Sequence, residues 1–185
     1  MEPGFGVREP ILKTGRLTLS EMSEADLAFM VEMLGDAEVM RYYPAALGRD
    51  GARDWIARQR ARYEREGHGL WLVTERETGR PLGQVGLVLQ QLAWGAEREI
   101  GYMIHRPFWR KGFALEAASA VREFAFKTLG LEQVISLIRP ENTPSIAVAE
   151  ALGMRPWRDA AHGGFDHQVY RLAADQRPSS HPAQP

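Results

Sequence analysis

Trp109-Arg110-Lys111-Gly112-Phe113-Ala114 stands where one strand-like run has just ended and the longest helical pattern of the chain begins. Upstream, Glu99-Ile100-Gly101-Tyr102-Met103-Ile104 reads as a strand. Downstream, Phe113, Ala117, Val121, Phe124 and Ala125 form one stripe at helical spacing, and Gly130 follows as a C-terminal stop. A turn from strand to helix points successive backbone N–H groups outward together. The first helical turn adds unpaired donors and a partial positive charge at the same spot, which suits phosphate oxygens. Gly112 lets the chain bend and lets a ligand approach the backbone, Ala114 keeps the first turn small, and Arg110 and Lys111 add two cations. The plain alternative is a basic helix start carrying a solvated Arg-Lys pair.

Working outward, Leu70-Trp71-Leu72-Val73-Thr74 and Leu82 to Leu89 read as a hairpin turning at Thr78-Gly79, with the 99–104 strand behind it. Gly101 inside that third strand suggests a bulge or a close backbone approach. Toward the N-terminus, Leu17-Thr18-Leu19 alternates as a short strand, and Ser23-Glu24-Ala25-Asp26 resembles a capping box. Leu27, Met30, Val31 and Leu34 then follow at helical spacing up to Gly35. Residues 36–49 read as a loop, and Asp50 as the cap of a second helix that carries Trp55, Ile56 and Tyr63 and ends at Gly67 and Gly69. Beyond the long helix come a strand at Gln133–Ile138, a short helix from Pro144 to Leu152 and a last strand at His167–Leu172. This order predicts an α/β domain on a mixed sheet. Residues 1–13 read as a tail, 14–172 as one domain and 173–185 as a disordered C-terminal tail.

Composition narrows the function classes. In 185 residues, 44% are hydrophobic and 25% charged, which supports a globular core. Lysine plus arginine total 23 against 24 acidic residues, so a strongly basic nucleic-acid surface is excluded. Cysteine is absent, which removes disulfides, thiolate metal sites and thiol nucleophiles. No apolar run approaches the ~18 residues of a membrane span, and Met1-Glu2-Pro3-Gly4-Phe5-Gly6 is unlike a signal peptide, so a cytoplasmic protein with no membrane partner is expected. Neither G-x-x-x-x-G-K-[ST] nor a strand-to-helix G-x-G-x-x-G occurs. His105 and His162 lack partners at metal-ligand spacing, and no metal is expected.

Four pieces in register carry a resemblance: Glu99-Ile100-Gly101-Tyr102, Pro107 to Ala117, Pro140-Glu141-Asn142-Thr143-Pro144-Ser145, and Glu150-Ala151-Leu152-Gly153-Met154. Together with Thr14-Gly15-Arg16-Leu17-Thr18-Leu19 they resemble the GNAT superfamily of N-acetyltransferases, in its RimJ/RimL-like branch of ribosomal-protein N-terminal acetyltransferases. The resemblance implies a GNAT-like acyl-CoA N-acyltransferase fold: a mixed, mostly antiparallel sheet of about six or seven strands, splayed in the middle and flanked by four helices. It implies acetyl-CoA as cosubstrate and a primary amine as acceptor, and a homodimer is common in the family. It places the diphosphate on the amides of Lys111, Gly112, Phe113 and Ala114, with Arg110 adding charge. It also places the pantetheine arm along the backbone of Met103 and Ile104, and Asn142 against that arm.

Departures from the family pattern are the indole at Trp109, where Gln or Arg is usual, Arg110 where Gly is frequent, and Ala149 where many members carry a tyrosine that protonates the departing thiolate. That last role would pass to Ser145, whose plain alternative is a first-turn helix residue. Glu99 is the candidate general base, against the alternative of an edge carboxylate paired with Arg98. Asn142 also suits a helix N-cap. Tyr42, Tyr43, Trp71 and Trp94 are either acceptor-pocket or packing aromatics. A second reading of the whole chain is a catalytically weak acyl-CoA sensor or interaction module.

Overall fold

The computed structural model describes residues 9–176. The chain order is β1 (Leu12–Lys13), β2 (Leu17–Ser20), α1 (Leu27–Gly35), α2 (Arg49–Glu66), β3 (Leu70–Glu75), β4 (Pro81–Leu92), β5 (Gly95–Ile104), α3 (Phe113–Glu123), β6 (Gln133–Ile138), α4 (Thr143–Ala151), β7 (Arg155–His162) and β8 (Phe165–Ala173). The eight strands form one sheet in the order β1-β2-β3-β4-β5-β6-β8-β7. Every pairing is antiparallel except β5 with β6, which run parallel and meet at the single register pair Glu99↔Ile135. Past that pair the two strands part, and the sheet is split at its centre.

Helices cover both faces, which explains why β3 reads as an unbroken apolar run rather than an alternating one. Trp71 and Val73 pack with Val85, Leu87, Ile100 and the Ala117–Val121 stripe of α3. Leu72, one residue out of phase, joins Met30, Leu34, Ile56 and Met103 under α1 and α2. Glycines make room where backbones crowd: a Cβ on Gly86, inside β4, would lie 2.0 Å from the Gly69 carbonyl oxygen. Gly101 is also a close-approach position, its missing Cβ 3.1 Å from Leu70, and the β4–β5 register runs through it without a bulge.

Two strands were not expected. β1 pairs Leu12 with Leu19 and so draws part of the expected N-terminal tail into the sheet. β7 lacks alternation and carries Pro156, which an edge strand tolerates because one side of it faces no neighbour; its register shifts between Pro156 and Arg158. The Ser23 box forms as expected, with Ser23 N–H donating to Asp26 at 2.7 Å and Ala25 N–H to the Ser23 hydroxyl at 3.3 Å. α2 instead begins at Arg49 behind Gly48, and Asp50 sits inside its first turn, ion-paired with Arg53 at 3.2 Å. β8 runs on to Ala173, and residues 1–8 and 177–185 of the expected tails lie outside the described residues.

Candidate active site

The site forms where β5 and β6 separate. In a regular ladder the inner groups of both strands would pair with each other, and here side chains take over that work. Leu137 N–H on β6 donates to Glu99 Oε1 at 3.3 Å, and Ser136 Oγ donates to the Ile100 carbonyl on β5 at 2.8 Å. The split is therefore pre-formed, its apex closed by one carboxylate and one hydroxyl.

Glu99 is half-buried at that apex, and its other oxygen accepts from Gln90 Nε2 at 2.5 Å. Removal from water pushes its carboxyl above the usual carboxylate range, against the pull of hydrogen bonds from Gln90 and Leu137 and the charges of His162 and Arg62. Removal from water, and after it the nearby Glu99 charge, push the phenol of Tyr43 in the 36–48 loop above its ordinary range, and its ring packs edge-on against Trp55 at 6.1 Å. Tyr42 donates to the Glu141 carbonyl at 3.4 Å and so links that loop to the turn before α4. Of the other two aromatics, Trp71 is core, 1% exposed, and Trp94 stacks edge-on with Trp157.

Arg98 does not pair with Glu99. Its Nε–H donates to His68 Nε2 at 3.1 Å, so that nitrogen must be an acceptor, and His68 Nδ1 carries the proton that goes to the Leu87 carbonyl at 2.8 Å. Burial holds this imidazole neutral, its pKa below the ordinary 6.5.

Strand alternation decides which β5 groups face the gap. One residue past the last register pair, Gly83↔Ile104, His105 donates its N–H to the Leu82 carbonyl at 2.8 Å. Alternate residues therefore turn the main chain of Met103 toward β4, and those of Tyr102 and Ile104 toward the split. The expected pair was Met103 and Ile104; the Met103 N–H and C=O belong to the β4–β5 ladder, and the main-chain groups that face the gap are those of Tyr102 and Ile104. The Ile104 carbonyl is itself taken by the indole N–H of Trp109 at 2.6 Å. Tyr102 N–H, Tyr102 C=O and Ile104 N–H are left to face the gap. The Tyr102 hydroxyl reaches across to α4 and donates to the Ser145 carbonyl at 2.7 Å.

At the mouth of the split, the 109–114 loop turns through two left-handed residues, Arg110 at φ 61° and Gly112 at φ 79°. Gly112 is the N-cap of α3, and the N–H groups of Lys111, Gly112, Phe113 and Ala114 donate to no acceptor among the described residues. Arg110, Lys111 and Gly112 are exposed, while the Phe113 ring is buried. Asn142 caps α4, its Oδ1 accepting from Ser145 N–H at 3.3 Å, which leaves its amide NH2 without a partner among the described residues. The Ser145 hydroxyl likewise has no partner among them, and Ala149 is fully buried. The structure thus brings Glu99, Tyr102, Ser136 and Ser145 around one gap, with the amide-lined turn at its end. Sequence spacing gave no signal for Gln90, Ser136 or the His68–Arg98 pair, whose partners come from other strands.

A sheet parted at one parallel bridge, with free helix-start amides beside the gap, defines an acyl-CoA transferase fold. The chain belongs to the GNAT acetyltransferases: residues 16–155 match the acetyltransferase (GNAT) domain model. It is 36% identical over 144 residues to the uncharacterized protein YkkB of Bacillus subtilis (strain 168), covering 77% of this chain and 84% of that one. It is 31% identical over 146 residues to the uncharacterized N-acetyltransferase p20 of Bacillus licheniformis, covering 78% and 82%. Its fold superimposes with a TM-score of 0.72 on RimL, a ribosomal L7/L12 alpha-N-protein acetyltransferase, in complex with coenzyme A, at 15% identity and covering 91% and 99%.

Proposed function

We propose that the protein moves an acetyl group from acetyl-CoA to a primary amine, of a peptide or protein N-terminus or of a small molecule, by direct transfer in a ternary complex. The observation that carries this reading is the pre-formed gap past Glu99↔Ile135, with a carboxylate at its apex and free amides at its mouth. The likeness to a fold that binds coenzyme A in RimL supports the choice of cosubstrate.

Acetyl-CoA supplies the thioester carbonyl that is attacked and the thiolate that leaves. The amides of Lys111, Gly112, Phe113 and Ala114 and the charges of Arg110 and Lys111 hold the diphosphate. The main chains of Tyr102 and Ile104 line the pantetheine arm as a neighbouring strand would, and the Asn142 amide faces it. Glu99 accepts the proton that the amine loses as its nitrogen bonds to the carbonyl carbon. An N-terminal amine, with a pKa of about 7.7–8.0, asks less of that base than a lysine at about 10.4. As the C–S bond breaks, a proton passes to sulfur; Ser145 on α4 is the candidate donor and regains its proton from solvent. With no cysteine in the chain, no thiol-bound acyl-enzyme can form.

The test is a panel of peptide N-termini, polyamines and aminoglycosides with acetyl-CoA, read by thiol release. Release with one amine class supports the proposal, and an acetylated protein trapped during turnover by mass spectrometry overturns direct transfer. A buried alanine at position 149 favours the second reading, an acyl-CoA sensor. Coenzyme A binding with no release on any amine would select it.

A further inference from the structure

Across the sheet edge from the candidate site, the β1–β2 turn sends Arg16 against the loop that starts α3. Arg16 Nε donates to Glu116 Oε2 at 2.6 Å, and its main-chain N–H donates to Glu116 Oε1 at 2.9 Å. The Thr14 hydroxyl adds a third bond to the same carboxylate at 2.5 Å. Arg16 Nη1 donates to the Lys111 carbonyl at 3.1 Å, and the guanidinium lies 4.5 Å from the centre of the Phe113 ring. Arg76 fastens the turn from behind through the Thr14 and Gly15 carbonyls at 2.7 and 3.2 Å.

The Lys111–Gly112 peptide is planar and trans, so its C=O and N–H point in opposite directions. Pinning the Lys111 carbonyl inward onto Arg16 therefore turns the Gly112 N–H outward. Glu116 lies in the first turn of α3, where a free carboxylate would compete for the same amides and repel an arriving anion. Arg16 and Thr14 hold that carboxylate away from the amides and balance its charge.

We infer that Arg16 is a positioning residue for the diphosphate cradle: it sets the direction of the Gly112 N–H and keeps Glu116 off the site. The inference rests on the proposed use of acetyl-CoA and adds a residue from the opposite end of the chain. Lysine in its place would keep the charge and lose the fork that reaches Glu116 and Lys111 together.

The experiment compares binding of coenzyme A with binding of pantetheine, which lacks the diphosphate, by ligand-observed NMR and titration calorimetry on the full chain. Arg16→Gln is expected to weaken coenzyme A binding at least tenfold and leave pantetheine within twofold; Arg16→Lys, the safer variant for folding, is expected to show the same selectivity at about threefold. Equal weakening of both ligands in Arg16→Lys, or no change for coenzyme A, overturns the inference. Failure of the unaltered protein to bind coenzyme A instead overturns the proposed function. Arg16→Gln combined with Glu116→Gln should recover only part of the loss, because the carbonyl stays unpinned; full recovery would reduce the role of Arg16 to charge balance and overturn its orienting part.

Discussion

Glu99 and Ile135 face each other across the one register pair that joins β5 to β6, and the Glu99 carboxylate reaches past it to the Leu137 N–H at 3.3 Å. One side chain thus ends the ladder and marks the start of the gap. Placing a carboxylate there is costly in solvation, and the cost has a signature in both activity and stability.

Burial raises the Glu99 pKa in the folded state above its ordinary 4.5. The sign follows: its contribution to stability is full below the ordinary value and is lost as pH rises through the raised one. At neutral pH, Glu99→Gln should therefore raise Tm while it lowers kcat/KM by about 10²–10⁴-fold, the usual worth of a general base. The acidic limb of the pH–rate profile should flatten in the same variant. A variant that keeps the full rate and the full acidic limb would remove Glu99 from the chemistry.

Gly112 holds φ at 79°, where an L side chain costs about 1–2 kcal/mol, and its missing Cβ lies 3.4 Å from Arg16 Nη2. Gly112→Glu adds bulk, strain and an anion at the same place. Coenzyme A affinity should drop more than tenfold with the circular dichroism spectrum unchanged. Unaltered affinity would mean that the cradle lies elsewhere.

Ser145→Ala separates a hydroxyl from a backbone role. The Tyr102 bond goes to the Ser145 carbonyl and the Asn142 cap bond comes from the Ser145 N–H, so both survive the substitution. The expected result is a lower kcat with cosubstrate binding retained. Equal turnover across pH would take the Ser145 hydroxyl out of the reaction.

His68 is held neutral by burial, with its pKa below the ordinary 6.5. A depressed folded value gives stability that is present above about pH 6.5 and lost as pH falls through the folded pKa. His68→Gln can keep an acceptor for Arg98 and a donor for Leu87 without titrating. Its Tm should fall less between pH 7 and 5 than that of the unaltered protein, as followed by thermal melts; parallel curves would rule His68 out as the acid-sensitive group.

The sequence disclosed what local patterns encode. The 109–114 turn, the stripe on α3, the Ser23 box and the run at Leu70–Val73 are all written in neighbouring residues. Contacts that depend on register were hidden. Tyr102 rather than Met103 turns its main chain toward the gap because alternation is set by pairing with β4, and no spacing within β5 announces it. β7 was missed because an edge strand with exposed polar residues has no apolar period. Trp109 looked like a simple departure from a family pattern, and its hydrogen bond to Ile104 became visible only once the chain turned back on itself.

The single bridge between β5 and β6 also has a mechanical meaning. Beyond it no main-chain pair joins the two halves of the sheet among the described residues, and the Tyr102–Ser145 contact spans the opening as a tether. Any widening of that opening would load these side-chain contacts and leave the backbone pairs of each half intact.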